Sequence, residues 1–319
     1  MHRQPIAVSL VGAGYMASEY AKCLMADSRF KISGILSRNY ERAFDFATSY
    51  NIPIIAKSME ELYEKSHSDI LIITTPEMAT LNVSLSAFSF PWILLIEKPV
   101  GIDLDQSSII LDAYLKSNAQ GYVALNRRFY DSTSKALHLF DEDNGNRIIQ
   151  ICDQQDLIAA RLSGQPEKVL ENWMYANSIH LIDYINLFAR GEVLEINTRT
   201  EEFQDTLFVN SNITFSSRDF VSYFCIWNGP GGWSVNIRDK SIEVRLEPLE
   251  KIWIRRFPSR TLELESDLSD SRFKPGLQNM LDQLFNLVTT GNSELPNLKA
   301  SHDLMKLVKE IYKGINVPE

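Results

Sequence analysis

The sequence predicts an α/β protein with an N-terminal doubly wound domain and a C-terminal α+β domain built on a large, mainly antiparallel open sheet. Up to about residue 125, short apolar runs alternate with helical patterns, which is typical of parallel strands buried on both faces. After that point strand-like runs follow one another directly, as in antiparallel sheets. Because 319 residues exceed what one core usually fills, we expect two domains, over residues 1–125 and 126–319.

The elements of the first domain can be assigned in order along the chain. Helical spacing is seen in "SEYAKCLMAD" and "NYERAFDFATSY". The runs that predict strands are "PIAVSLVGAG", "FKISGIL", "DILIITTP" and "WILLIEKP", the last two ended by proline. The interleaved helices would supply the right-handed crossovers that parallel strands need.

The second domain is expected to begin with helices near residues 131–141 and 173–189. Six strand-like runs follow: "EVLEINTRT", "DTLFVNSNITF", "DFVSYFCIW", "WSVNIRD", "SIEVRLEPL" and "KIWIRRF". Two amphipathic helices, "KPGLQNMLDQLFNLVTTG" and "LKASHDLMKLVKEIYKG", end in glycine stops, and packing back onto the first domain is one option for them.

Composition excludes several classes of protein. A net charge of -9 disfavours a broad nucleic-acid or anionic-membrane surface, although a local basic pocket remains compatible with it. No apolar stretch approaches the roughly 18 residues of a membrane helix, and the start reads better as a strand than as a signal peptide. Cys23, Cys152 and Cys225 lack metal-ligand or CxxC spacing. We therefore expect a cytoplasmic protein with no metal site and no nucleic-acid or membrane partner.

Self-association is a further expectation. The runs "VSYFCIW" and "KIWIRRF" carry aromatic residues on both sides, whereas one layer of helices covers only one face of a sheet. We expect the outer face to be buried in a homodimer or homotetramer. The alternative is that loops of the same chain cover it.

A glycine motif follows the first strand. In "VGAGYMA", Gly12, Gly14 and Ala17 form the pattern G-x-G-x-x-A, with Gly12 for a tight turn and Gly14 for close approach to a pyrophosphate at the helix N-terminus. The strand-turn-helix context predicts a Rossmann dinucleotide site. The predicted cofactor-binding residues are Gly12, Ala13, Gly14, Tyr15, Met16, Ser37, Arg38, Thr75, Pro76, Glu97 and Lys98.

The end of the second strand bears on which dinucleotide binds. NAD-specific enzymes usually have an acidic residue there for the ribose hydroxyls, whereas this chain has Ser37 and Arg38. A guanidinium can pair with a 2′-phosphate and stack on adenine, so the sequence favours NADP over NAD. The alternative is that Arg38 is solvated and NAD is accepted.

The fragment "IEKPV" places Glu97, Lys98 and Pro99 at the carboxyl end of an apolar strand, where open α/β sheets bind ligands. A lysine there could stabilise negative charge on a substrate oxygen or relay a proton. A surface salt bridge between Glu97 and Lys98 is the alternative.

Together with "EKP", the fragments "NRRF" and "HLID" give the chain a resemblance to the Gfo/Idh/MocA oxidoreductase family over essentially its whole length. The resemblance implies an NAD(P)-binding Rossmann domain, a second domain with an open sheet often used for oligomerisation, and a sugar-like small-molecule substrate. By position it implies that Lys98 and His180 are catalytic. On the helix alone, a core histidine bonded to the backbone would be the better interpretation of His180.

The chain departs from the family pattern at two positions. Ala176 stands where an aspartate is common, four residues before the histidine, and Thr80 stands where many members have histidine. Spacing predicts Ala176, His180 and Asp183 on one helix face. Asn177 fits as a substrate hydrogen-bonder but cannot replace a carboxylate as a base.

We expect the substrate-binding residues near one cleft, with bracing of the domain junction as the alternative for the two arginines and the tyrosine. These residues are Arg127, Arg128, Tyr130, Asn177, His180 and Asp183.

The sequence thus predicts an NADP-preferring oxidoreductase that acts on a sugar, a polyol or a nucleotide-sugar derivative. One alternative is a non-catalytic regulator that binds NADP on the same scaffold, because Ala176 removes a usual catalytic group. A second alternative is a hydrolase or lyase that uses transient redox chemistry, and no residue of the sequence distinguishes it from the oxidoreductase.

Overall fold

The computed structural model of the chain describes residues 4–140, 145–265 and 272–315, and it divides into two compact units. The first unit comprises Met1–Leu125 and Leu277–His302, and the second comprises Asn126–Gly276 and Asp303–Glu319. No helix in the described ranges has the length and apolarity needed to span a membrane.

The first unit is built on a six-stranded parallel sheet in the order β3-β2-β1-β4-β5-β6. Its strands are β1 (Ile6–Val11), β2 (Phe30–Leu36), β3 (Ile54–Ala56), β4 (Ile70–Ile73), β5 (Ile93–Glu97) and β6 (Gln120–Ala124). Every residue of β1 and β4 is buried, which explains their continuous apolar sequences. The doubly wound order confirms the predicted Rossmann domain, and the order reverses between β1 and β4.

Helices connect these strands and cover the sheet. They are α1 (Tyr15–Ala26), α2 (Tyr40–Tyr50), α3 (Met59–Ser66), α4 (Glu77–Ala87) and α5 (Leu104–Leu115), with α10 (Leu277–Thr290) added from the end of the chain. Three of them begin at a side-chain cap: Asn39, Ser58 and Asp103 each accept a hydrogen bond from a backbone N–H of the first turn.

The second unit contains an eight-stranded sheet in the order β14-β13-β12-β11-β7-β10-β9-β8. Its strands are β7 (Ile148–Gln155), β8 (Val193–Phe203), β9 (Thr206–Phe215), β10 (Phe220–Trp227), β11 (Ser234–Arg238), β12 (Ile242–Leu246), β13 (Ile252–Arg256) and β14 (Glu263–Glu265). Only the β7–β10 pair is parallel among the described pairings, so the prediction of a mainly antiparallel sheet is confirmed.

Strand β7 is absent from the strands that the sequence predicts. Its buried residues alternate with outward ones, and the inward positions include the polar Asp153 and Gln155. The apolar–polar alternation therefore breaks down in the second half of the strand, where both faces carry polar side chains.

The helices of the second unit are α6 (Asp131–Leu139), α7 (Leu157–Leu162), α8 (Glu167–Leu170) and α9 (Ile179–Phe188), with α11 (Leu298–Ile311) extending into it. Residue 141, the expected end of the first helix, lies outside the described ranges. The helix expected over 173–189 is instead a π-helical turn, Met174–Ser178, followed by α9.

One face of the eight-stranded sheet is covered and the other is open. The covered face carries the buried side chains of β7, β10 and β11, and α9 lies against β7 and β11. On the open face Phe220 and Phe224 are each more than a third exposed, and Cys152 is exposed beside them. The aromatic residues that the sequence places on both sides of this sheet are therefore divided between protein core and surface.

Candidate functional site

The glycine turn between β1 and α1 requires glycine at its first position. Gly12 has a φ of +110°, and a Cβ atom there would lie 2.7 Å from Thr74 Oγ1 and 2.9 Å from the Thr74 carbonyl oxygen. Thr74 in turn donates its hydroxyl to the carbonyl of Val11 at 3.0 Å. Gly12 therefore allows the ends of β1 and β4 to approach each other closely.

Gly14 differs from Gly12 in its surroundings. It is the N-cap of α1 with a φ of −102°, and a Cβ atom built on it would meet no protein atom within 4 Å. The first turn of α1 has no side-chain cap, in contrast to α2, α3 and α5. Open space beside the N–H groups of a helix start suits a pyrophosphate.

The remaining predicted cofactor residues lie at the carboxyl ends of the neighbouring strands. Ser37 and Arg38 follow β2, and the Arg38 side chain is exposed. Thr75 and Pro76 follow β4, and the buried Thr75 Oγ1 has no hydrogen-bond partner within the described part of the chain. An orphaned hydroxyl at the switch point of the sheet fits a bound dinucleotide, which could supply its partner.

Glu97 is held by a buried tyrosine. The Tyr20 hydroxyl donates to Glu97 Oε1 at 2.9 Å from the covered side of α1. Burial, and after it the neighbouring Glu97 carboxylate, raises the pKa of Tyr20, so the phenol stays protonated and remains a donor. Lys98 follows at the end of β5.

In the second unit, α9 and the short segment after β6 bring several predicted substrate residues together. His180 and Asp183 are both buried, at 3% and 2% exposure. Arg128 makes a two-pronged ion pair with the Asp183 carboxylate. Burial lowers the pKa of Arg128, but the charge of Asp183 and the hydrogen bonds to it together raise the pKa above its ordinary value, so the guanidinium stays charged. Substrate binding by these two residues stays a prediction.

Arg127 and Tyr130 occupy different surroundings. The Arg127 guanidinium lies 4.4 Å from the centre of the Trp233 ring, and that ring is 6.3 Å from the His180 ring. Burial lowers the pKa of Arg127. Tyr130 is buried at the start of α6. Trp233 thus links Arg127 to His180, a role that its position in "WNGPGGW" gave no means of predicting.

The π-helical turn changes the expected relation between residues 176 and 180. The face argument assumes the α-helical repeat, whereas Met174–Ser178 has the wider π-helical repeat, so only His180 and Asp183 retain α-helical spacing. Ala176 is buried, and the Asn177 amide nitrogen donates to Gln155 Oε1 at 2.7 Å. Gln155 and its neighbour Asp153 are polar residues near the site that the sequence does not reveal, because strand β7 itself is not predicted.

The described residues contain no group of three or more histidine, cysteine, aspartate or glutamate side chains arranged to hold a metal ion.

A model of one known family matches the first domain. Residues 6–125 match the Gfo/Idh/MocA model, described as an oxidoreductase family with an NAD-binding Rossmann fold. This match confirms, over residues 6–125, the resemblance noted in the sequence.

One relative and two solved structures illustrate the similarity. Glucose-6-phosphate 3-dehydrogenase of Bacillus subtilis (strain 168) is 25% identical over 138 residues, which are 42% of this chain but only 38% of that protein. A dehydrogenase from Chromobacterium violaceum superposes with a TM-score of 0.81 at 19% identity, covering 97% of this chain and 95% of that one. Levoglucosan dehydrogenase in complex with NADH and L-sorbose gives 0.80 at 15% identity, covering 99% and 100%. These two structures share the fold of the present chain.

The contrast between Gly12 and Gly14 gives a test of the dinucleotide site. Gly14→Ala should weaken NADPH binding at least about tenfold, because the new methyl group would occupy space that the pyrophosphate needs. Its melting temperature should match that of the wild type, since no protein atom lies within 4 Å of the added Cβ. Fluorescence titration and thermal unfolding measure the two effects.

Gly12→Ala is the matched control, because its Cβ would collide with Thr74 and lower the melting temperature as well. If a folded Gly14→Ala variant bound NADPH with unchanged affinity, the prediction that the dinucleotide binds at this turn would be wrong.

Proposed function

We propose that this protein is an NAD(P)-dependent oxidoreductase that transfers a hydride between nicotinamide and a CH–OH carbon of a sugar, polyol or nucleotide-sugar derivative. The observation that carries the proposal is the G-x-G-x-x-A turn within a domain that matches an oxidoreductase family. The sugar dehydrogenases among the similar proteins support this class of substrate. None of the similar proteins named above favours a non-catalytic regulator.

A nicotinamide dinucleotide bound at the glycine turn would supply or accept the hydride. Lys98, after β5, donates a hydrogen bond to the substrate oxygen and stabilises the negative charge that develops there. His180 accepts or returns the hydroxyl proton, and Arg127, Arg128, Tyr130, Asn177 and Asp183 bind or surround the sugar.

The three cysteines form no disulfide within the described ranges, which fits a cytoplasmic location.

Turnover of sugars tests the function directly. The wild type should oxidise at least one member of a panel of levoglucosan, D-glucose 6-phosphate, myo-inositol and UDP-glucose with NADP or NAD, or catalyse the reverse reaction with NADPH. On that substrate, Lys98→Met and His180→Ala should each lower kcat by about 10² to 10⁴, because positioned proton transfer contributes that much, and NADPH affinity should change little. Absorbance at the nicotinamide band follows the reaction.

Lys116→Met serves as a control, since Lys116 is the C-cap of α5 and forms no part of the proposed site. Normal turnover by both the Lys98 and His180 variants would remove these residues from the chemical step. If the wild type turned over no member of the panel, the result would contradict the proposed oxidoreductase function.

For the choice of cofactor we propose NADP. Arg38→Ala should weaken NADPH binding by about 1.5 to 3 kcal/mol, because a hydrogen bond to a charged phosphate is lost, and should leave NADH binding nearly unchanged. Paired fluorescence titrations measure the ratio of the two affinities. The neighbouring exposed Arg42, on α2, provides the control substitution. If Arg38→Ala did not alter the ratio of the NADPH and NADH affinities, Arg38 would not contact the 2′-phosphate, and NAD would be the preferred interpretation of the cofactor.

We also propose a homodimer or homotetramer that buries the open face of the eight-stranded sheet. Phe220 and Phe224 form apolar surface there, and monomers rarely leave large patches of this kind uncovered. Sedimentation at micromolar concentration should give a mass of two or four times the 36.4 kDa of the monomer. Phe224→Glu should shift it toward the monomer, whereas Leu162→Glu, at an exposed site on α7, should not. A wild-type species of monomer mass alone would contradict this proposal.

A further inference from the structure

A fully buried glutamine links the covered face of the sheet to the π-helical turn. Gln155, on β7, has no exposed surface, and its amide nitrogen donates to Asp153 Oδ1 at 2.6 Å. Its amide oxygen accepts two hydrogen bonds, from Trp173 Nε1 at 2.8 Å and from Asn177 Nδ2 at 2.7 Å. The side-chain amide of Gln155 therefore uses its nitrogen and its oxygen toward different partners.

The chemistry of two partners permits only one orientation of the Gln155 amide. A carboxylate can only accept hydrogen bonds, so Asp153 must face the nitrogen of Gln155. An indole N–H can only donate, so Trp173 must face the oxygen. The reversed amide would place oxygen against carboxylate and N–H against N–H, losing both hydrogen bonds in a buried position.

The orientation of Asn177 follows from that of Gln155. Because Gln155 presents an oxygen, only the amide nitrogen of Asn177 can face it, and the Asn177 carbonyl oxygen Oδ1 is turned to the opposite side of the amide. Asn177 is half-buried and belongs to the π-helical turn immediately before α9, three residues from His180. Single π-helical turns of this kind occur frequently at functional sites.

Asp153 is itself anchored from the other side. The Tyr223 hydroxyl donates to Asp153 Oδ2 at 2.7 Å, and the Tyr312 hydroxyl lies 2.9 Å from that of Tyr223. Burial raises the pKa of Asp153, while the hydrogen bonds it accepts lower it. Even a protonated Asp153 would leave Gln155 oriented, since the Trp173 indole N–H still requires the oxygen.

We propose that Gln155 is a positioning residue that holds Asn177 with its carbonyl oxygen presented to a hydroxyl group of the substrate. The proposal rests on the proposed function for the identity of the ligand, a polyhydroxylated sugar-like molecule. A carbonyl oxygen only accepts hydrogen bonds, so this position selects a hydroxyl or amine donor on the substrate. Gln155 acts through Asn177 and does not touch the substrate.

The orientation is tested first by unfolding, without any substrate. At about pH 7 Asn177→Asp places a charged acceptor against the Gln155 oxygen, which cannot turn away. Its melting temperature should therefore lie about 3 °C or more below that of Asn177→Ala, which only removes one hydrogen bond. In a Gln155→Leu background the two variants should unfold at the same temperature, because no oxygen faces residue 177.

If Gln155→Leu does not fold, the comparison of the two Asn177 variants in the wild-type background still tests whether the Asn177 amide has a fixed orientation. An Asn177→Asp variant as stable as Asn177→Ala there would overturn the fixed orientation.

The role toward substrate is tested by a double-variant cycle on the sugar of the panel that turns over fastest. Asn177→Ala and Gln155→Leu should each raise KM by about 3- to 10-fold, the effect of one lost hydrogen bond, with a smaller change in kcat. The double variant should be no worse than Asn177→Ala, because Gln155 acts only through Asn177. Effects that multiply would show that Gln155 acts independently, and would overturn the proposal.

The two readouts separate the failure of this inference from the failure of the proposed function. If the wild type turns over no sugar while the melting temperatures follow the expected order, the orientation of Asn177 is supported. Its role in substrate binding is then refuted together with the proposed enzymatic function. If turnover is normal and Gln155→Leu leaves KM unchanged, the proposed function stands and the positioning role is refuted.

Discussion

The buried carboxylate of Asp153 imposes a constraint on much of the second unit. A carboxylate removed from water must be met by donors, since leaving it without them would cost several kcal/mol. Here the donors come from separate parts of the chain: Gln155 on the same strand and Tyr223 on the neighbouring strand β10. These hydrogen bonds tie strand β7 to strand β10, and Gln155 extends the link to Asn177 in the turn that precedes α9.

The same constraint reaches the end of the chain. Tyr312, directly after α11, bonds to the Tyr223 and Ser178 hydroxyls and receives a hydrogen bond from the Trp227 indole N–H at 3.3 Å. Burial raises the pKa of both tyrosines, so they remain neutral donors around the Asp153 carboxylate. The C-terminal helix is therefore fixed to the sheet by polar as well as apolar contacts.

Much of the fold could be predicted from the sequence because its strongest signals are local. Continuous apolar runs such as "DILIITTP" and the glycine pattern from Gly12 to Ala17 depend on few neighbours, and both appear in the structure as expected. Strand β7 could not be predicted, because Asp153 and Gln155 point into the core and break the alternation on which strand prediction depends. Their burial is favourable only because of partners distant in the sequence.

The candidate site shows the same division. Residues at strand ends, such as Arg38 and Lys98, could be assigned from position, since parallel strands end at a common edge. Contacts between distant segments could not, and the pairing of Arg128 with Asp183 and the stacking of Arg127 on Trp233 are of this kind. The π-helical turn also gives no sequence signal, because its extra residue per turn alters spacing without altering composition.

These contacts bear on how a proton could move in the proposed reaction, because position 176 is an alanine and not the aspartate that the family resemblance implies. Asp183 is the carboxylate on α9, and both of its oxygens are bonded to Arg128. Asn177 cannot titrate, and its amide is held by Gln155. Neither side chain is therefore placed to share the proton that the proposed reaction assigns to His180.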